Sequence, residues 1–203
     1  MNTGFVVLSI FAGFICGSIP FGYLAGVLNR LDVRRHGSGN IGFTNVARIL
    51  GLGWALPVLI LDIAKGILPV IFAQSVGLLP VLVGLGAVLG HIFSPWLKFN
   101  GGKGVATTIG VAALLCPRSL FAALGLFLCI LLITGYVSVS SISFAFILPV
   151  LTLIFYRTNS SLLLFTAILT VVIIYRHIPN LKRLLSRTEP KFGLWQRVFS
   201  KRV

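Results

Sequence analysis

Seven apolar runs set the limits on what this chain can fold into. They cover Phe5 to Leu28, Trp54 to Val76, Leu78 to Leu97, Val105 to Cys116, Leu120 to Gly135, Val139 to Tyr156 and Leu162 to Tyr175. Hydrocarbon about 30 Å thick takes roughly 20 helical residues to cross, which the longer runs meet. The fourth is too short for a perpendicular crossing and is expected to be short or partial. With 57% of residues hydrophobic and 10% charged, the expected fold class is an all-α integral membrane protein of about seven transmembrane helices. Residues 1–203 read as a single polytopic membrane domain with a basic tail from about 177, leaving no length for a separate aqueous domain. The first run has no positive segment before it and no evident small-residue cleavage site, so it reads as an uncleaved span rather than a signal peptide. Pro20, Pro57, Pro69 and Pro149 fall inside runs, where the missing N–H favours kinks.

Charge orients these spans. The net charge of +14 sets seventeen Lys and Arg against three acids, Asp32, Asp62 and Glu189. Such an excess would suit nucleic acid, but membrane topology explains it better, and no nucleic-acid partner is expected. Eight of the seventeen basic residues lie from Arg176 onward, which puts the C-terminus in the cytosol and, with seven spans, the N-terminus outside. Arg30, Arg34, Arg35 and Arg48 of the first loop then lie inside with Lys98 and Lys103 of the third. Arg118 and Arg157 fall outside, and Lys65 lies within a span. A basic cytosolic face also suits anionic headgroups of membrane lipids or phosphorylated substrates. Cys16, Cys116 and Cys129 lack metal-site spacing and read as bystanders. Three scattered acids cannot bind a metal ion, so neither metal nor cofactor is expected.

Three polar clusters fall on the cytosolic side. RRHGSGNIGFTNVAR, from Arg34 to Arg48, packs Gly37, Ser38, Gly39, Asn40, Thr44, Asn45 and Arg48 into one stretch. Glycines there can aim N–H groups at an oxyanion, hydroxyl and amide groups add donors, and Arg48 supplies a bidentate charge. A solvated turn with topogenic charges is the competing reading. KFNGGKGVATT, from Lys98 to Thr108, places Lys103 among Gly101, Gly102 and Gly104 where an apolar helix begins, a favourable anion site. It is no Walker A loop, because Leu97 and Gly104 stand where Gly and Ser or Thr are needed; a flexible interfacial loop remains open. YRHIPNLKRLL, from Tyr175 to Leu185, offers His177 and Asn180, with interfacial packing as the commoner role for a lone His. Within the second span, Asp62 and Lys65 share a helix face and are read as a structural ion pair that orders the site. His91, with Ser94, Pro95 and Trp96, is assigned to packing or interfacial anchoring.

Taken in order, GSGNIGFTNVAR, GHIFSPWLKFNGGKGVAT and YRHIPNLKRLL resemble the bacterial acyl-phosphate:glycerol-3-phosphate acyltransferases. The likeness extends to GSIPFGYL in the first span, LDIAKG in the second and a trailing Glu189. It implies acyl transfer from acyl phosphate to glycerol 3-phosphate, giving lysophosphatidic acid and phosphate, the first step of bacterial phospholipid synthesis at the cytoplasmic membrane. It implies neither acyl-CoA nor acyl carrier protein as donor, and it leaves open a partnership with the soluble acyltransferase that makes acyl phosphate. Carried onto this chain, the family's motifs fall on Ser38 and Arg48, on Gly101 to Gly104 with Lys103, and on His177 with Asn180. Ser38, Asn40 and the flanking glycines would hold a phosphate, Arg48 and Lys103 would neutralise phosphate charge, and Asn180 with His177 would orient glycerol 3-phosphate.

Rival classes fare less well. A transporter or binding protein for an organic phosphate would favour polar groups at mid-membrane, whereas these clusters lie at one edge. HxxxxD acyltransferases need an Asp five residues after a His, which His36, His91 and His177 all lack. A structural protein with the amphipathic basic tail KFGLWQRVFSKRV leaves the two glycine-rich loops unexplained.

Overall fold

The computed structural model describes residues 3–192. The tail segment expected to lie in the interface falls mostly outside them, at 193–203. Among the described residues the chain is helical without strands: α1 Thr3–Gly17, α2 Phe21–Leu28, α3 Phe43–Leu50, α4 Leu52–Val76, α5 Pro80–Ile92, α6 Val105–Leu115, α7 Pro117–Thr134, α8 Val137–Phe155, α9 Ser160–Arg176 and α10 Ile178–Leu185. All seven expected runs are helical. Five stretches are long and apolar enough to cross a membrane: α1 with α2, α4, α5 with the turn to Leu97, α7 and α8. The α9–α10 pair, bent by 51°, makes a sixth. At 11 residues, α6 rises only ~16 Å, about half the hydrocarbon thickness.

Large apolar side chains point outward along these helices: Phe11, Ile60, Leu68, Phe121 and Ile133 are each more than half exposed. Polar and charged groups are instead buried, among them Asp62, Lys65, His91, Asn45, His177 and Asn180. That inversion is what lipid demands of a multi-pass protein.

The helices group into two compact units, Met1–Leu115 and Cys116–Val203. In the first, backbone meets backbone. Gly13 and Gly17 of α1 lie against the Val83 and Ala87 carbonyls of α5, while Gly86 and Gly90 of α5 lie against those of Ile10 and Phe14. Gly66 of α4 and Gly110 of α6 do the same with Thr107 and Ile63. A Cβ at any of these would overlap a carbonyl. Small residues thus replace the hydrophobic driving force that lipid cannot supply. The second unit packs α7 on α8 and α8 on α9 around Phe144, Leu148, Phe165 and Leu169, and Thr170 bonds across to the Ala145 carbonyl.

The first run is two helices rather than one. It breaks at Ser18–Pro20, and the freed carbonyls find partners: Ser18 accepts from the Ser94 hydroxyl at 2.6 Å and Ile19 from Lys65 at 2.7 Å. By contrast, α4 and α8 continue through Pro57, Pro69 and Pro149.

Candidate active site

The first loop is built around one amide. Asn45, 1% exposed, accepts from the Ser38 N–H at 2.8 Å. Its Nδ2 donates to the carbonyls of Val33, His36 and Asn40 at 3.1, 3.2 and 2.7 Å. Gly37, at φ 59, lies directly on the Asn45 amide oxygen, where a Cβ would collide. Asn40 accepts from the Gly42 N–H at 2.8 Å and so steadies the start of α3. The Gly39 N–H bonds the His36 carbonyl. Much of the loop's amide and backbone capacity thus holds its own shape, and it presents Ser38 half-buried, Thr44 half-buried and Arg48 exposed on α3.

Beside it, Arg34 grips Asp32 through two contacts at 2.9 and 2.8 Å and stacks 4.6 Å over the Tyr23 ring. The hydrogen bond and charge of Arg34 draw the Asp32 carboxyl down to about 2, and the partnership raises the Arg34 guanidinium above its ordinary value. Arg34 is therefore a structural cation, and Arg48 lies on α3.

Val33 and Ile41 of this loop share a buried cluster with Leu97, which brings the second polar stretch alongside the first. Its backbone is equally committed. The Gly101 and Gly102 N–H groups bond the carbonyls of Ile92 and His91 at 2.9 and 3.1 Å, so these glycines serve close packing. Gly101 abuts the His91 carbonyl and Gly102 the His91 imidazole Nε2. Gly104 turns at φ 88 into α6, and Lys103 sits half-buried between. Beneath lies a charged cluster that the sequence showed only as a pair. Asp62 Oδ1 is 2.8 Å from Lys65 Nζ and 3.6 Å from His91 Nδ1, and all three residues are no more than 5% exposed. His91 thus has a buried carboxylate partner beyond the packing role expected of it.

In the second unit, His177 caps the bend between α9 and α10. Its Nδ1 lies 2.8 Å from the Ile173 carbonyl. A carbonyl only accepts, so Nδ1 carries the proton and a neutral ring bears its lone pair on Nε2. Asn180, 4% exposed, donates to Glu189 at 2.7 Å, and Arg183 donates to the other Glu189 oxygen at 2.7 Å. Burial pushes the Glu189 carboxyl up, but the hydrogen bonds from Asn180 and Arg183 and the charge of Arg183 hold the group below its ordinary value. Glu189 is the partner of Asn180 that motif reading touched without giving it a role; its signal was a lone acid in a basic segment.

Residues 7–187 match the family described as glycerol-3-phosphate acyltransferase. The chain belongs to the glycerol-3-phosphate acyltransferase family. Relatives of that name from Trichlorobacter lovleyi and Fusobacterium nucleatum subsp. nucleatum are each 42% identical, over 90% and 93% of this chain and 95% and 96% of their own. The fold is similar to crystal structures of PlsY (YgiH), an integral membrane glycerol 3-phosphate acyltransferase. Its glycerol 3-phosphate form gives a TM-score of 0.87 and its lysophosphatidic acid form 0.84, each at 34% identity over 96% of this chain and 98% of that one. Membership in this family accords with an all-helical, multi-pass fold.

Proposed function

We propose that this acyltransferase takes its acyl group from an acyl phosphate and passes it to glycerol 3-phosphate by direct attack, at the cytosolic face of the bacterial cytoplasmic membrane. The observation that carries the mechanism is the state of the carboxylates. Of the chain's three acids, Asp32 is paired with Arg34, Asp62 with Lys65, and Glu189 with Arg183. None is left to act as base or nucleophile.

An acyl phosphate is a mixed anhydride and needs no further activation. A hydroxyl oxygen of glycerol 3-phosphate attacks the carbonyl carbon, the bond from that carbon to the phosphate oxygen breaks, and inorganic phosphate leaves. The hydroxyl proton passes to a phosphate oxygen or to His177 Nε2. Ser38, Arg48 and Lys103 hold and neutralise phosphate, and Asn180 with His177 orients glycerol 3-phosphate. Positioning and electrostatics then supply most of the acceleration. The glycerol 3-phosphate and lysophosphatidic acid named for the PlsY structures are the acceptor and product this reading requires. The donor's supplier would be a soluble enzyme forming acyl phosphate.

Purified protein given acyl phosphate and labelled glycerol 3-phosphate is expected to form lysophosphatidic acid, and acyl-CoA is expected to fail as donor. Lys103→Ala and Arg48→Ala should abolish steady-state turnover while the protein stays inserted; normal rates in both would remove the roles assigned to them. Acyl label trapped on Ser38 in a single turnover would replace direct attack with an acyl-enzyme.

A further inference from the structure

The glycine-rich loop rests on a buried side chain that faces a buried carboxylate. Gly102 packs against the imidazole Nε2 of His91, and on the far side of that ring Nδ1 faces Asp62 at 3.6 Å. Asp62 is held in turn by Lys65 at 2.8 Å, and Lys65 is tied to the broken first run through the Ile19 carbonyl at 2.7 Å and lies 5.5 Å over Phe21. The loop backbone also bonds α5 directly, Gly102 N–H to the His91 carbonyl. Side chain and main chain of one residue therefore set where Gly102 lies, and Lys103 is the next residue along. A buried charged cluster is costly in a membrane helix and is retained where it orders something.

We propose that His91 and Asp62 are positioning residues for the reaction: Asp62 holds the His91 ring as the seat of Gly102, and that seat fixes where Lys103 presents its ammonium to substrate phosphate. Neither residue touches substrate. This rests on the reading of Lys103 as a phosphate ligand, and the test keeps the two apart.

The experiment is a double-mutant cycle on full-length purified protein, followed as single-turnover formation of lysophosphatidic acid with enzyme in excess, where strongly reduced rates remain measurable. His91→Ala is expected to lower the rate about a hundredfold, the order expected of a misplaced catalytic cation. In a Lys103→Ala background the same change is expected to cost less than about threefold, because no ammonium is left to misplace. Asp62→Asn, which keeps the shape and loses the charge, should behave as His91→Ala does. His91→Gln, which keeps a polar nitrogen toward Gly102 but loses the atom that faces Asp62, should recover part of the rate. Thermal midpoints identify variants that only unfold. Equal losses from His91→Ala in both backgrounds, or no rescue by Gln in a protein of unchanged midpoint, would overturn the positioning role while leaving Lys103 as a ligand. A fully active Lys103→Ala protein would instead overturn the underlying reading.

Discussion

At Asn45 a single side chain makes four hydrogen bonds within the first loop. Asn45→Ala leaves the Ser38 N–H and three carbonyls without it, at roughly 1–3 kcal/mol for each group that water cannot reach. Asn45→Asp keeps the acceptor for Ser38 but turns a donor to three carbonyls into a repelling oxygen. Both variants are therefore expected to lose at least ~90% of activity and to unfold at lower temperature, with Asp no better than Ala. An Asp variant with normal activity would show that the amide does not brace the loop. Asp32 has a pH consequence of definite sign. Its carboxyl lies at about 2 in the folded protein, below its unfolded value of about 3.9. Its contribution is fully present above the unfolded value and is lost as pH falls through the folded one. Activity between pH 5 and 8 should therefore be indifferent to Asp32, and any break in that range in the pH–rate profile reports another group. The residue types of the first loop were legible in the sequence. Which of them face a ligand was not, because an amide that binds phosphate and one that binds its own loop have the same letter and the same glycine neighbours.

At the scale of elements, apolar run length marked every helix that crosses, since hydrocarbon thickness admits few alternatives. The break at Ser18–Pro20 was not legible. Pro57 and Pro69 lie in an unbroken helix, so proline alone does not decide. What decides is whether the freed carbonyls meet donors, and here these come from Lys65 and Ser94, 46 and 76 residues along the chain. His91 joined the Asp62–Lys65 pair for the same reason: α5 is held on α1 by facing glycines, which sequence shows as composition rather than contact. The cluster's stability can be separated from its use. Removing one member of a buried ion pair costs about 3–5 kcal/mol, whereas replacing both by apolar residues is often close to neutral. Asp62→Leu with Lys65→Leu is expected to restore the thermal midpoint lost in either single variant without restoring acyl transfer. Recovery of both together would mean that the cluster only holds α4 in place.

For the whole molecule, charge distribution is the basis of the proposed sides, and α6 is the element on which they turn. Its 11 residues reach across about half the hydrocarbon, so a crossing requires local thinning of the bilayer or help from flanking residues. The topology we propose from the positive-inside pattern has it cross: Lys98 and Lys103 before it belong with the basic first loop, to which Leu97 is packed, and Arg118 after it falls on the other side. A re-entrant α6 would return Arg118 to the same side as Lys103 and reverse the N-terminus. Single cysteines in a background lacking Cys16, Cys116 and Cys129 decide this with a membrane-impermeant thiol reagent. Arg35→Cys, on an exposed side chain of the first loop, and Ser186→Cys, exposed after α10, should react only in inside-out vesicles. Arg118→Cys and Asn159→Cys should react only in intact spheroplasts. Reaction of Arg118→Cys from the same side as Arg35→Cys would make α6 re-entrant, while a reversed result at Ser186 would place the basic tail outside and remove the basis for a cytosolic site.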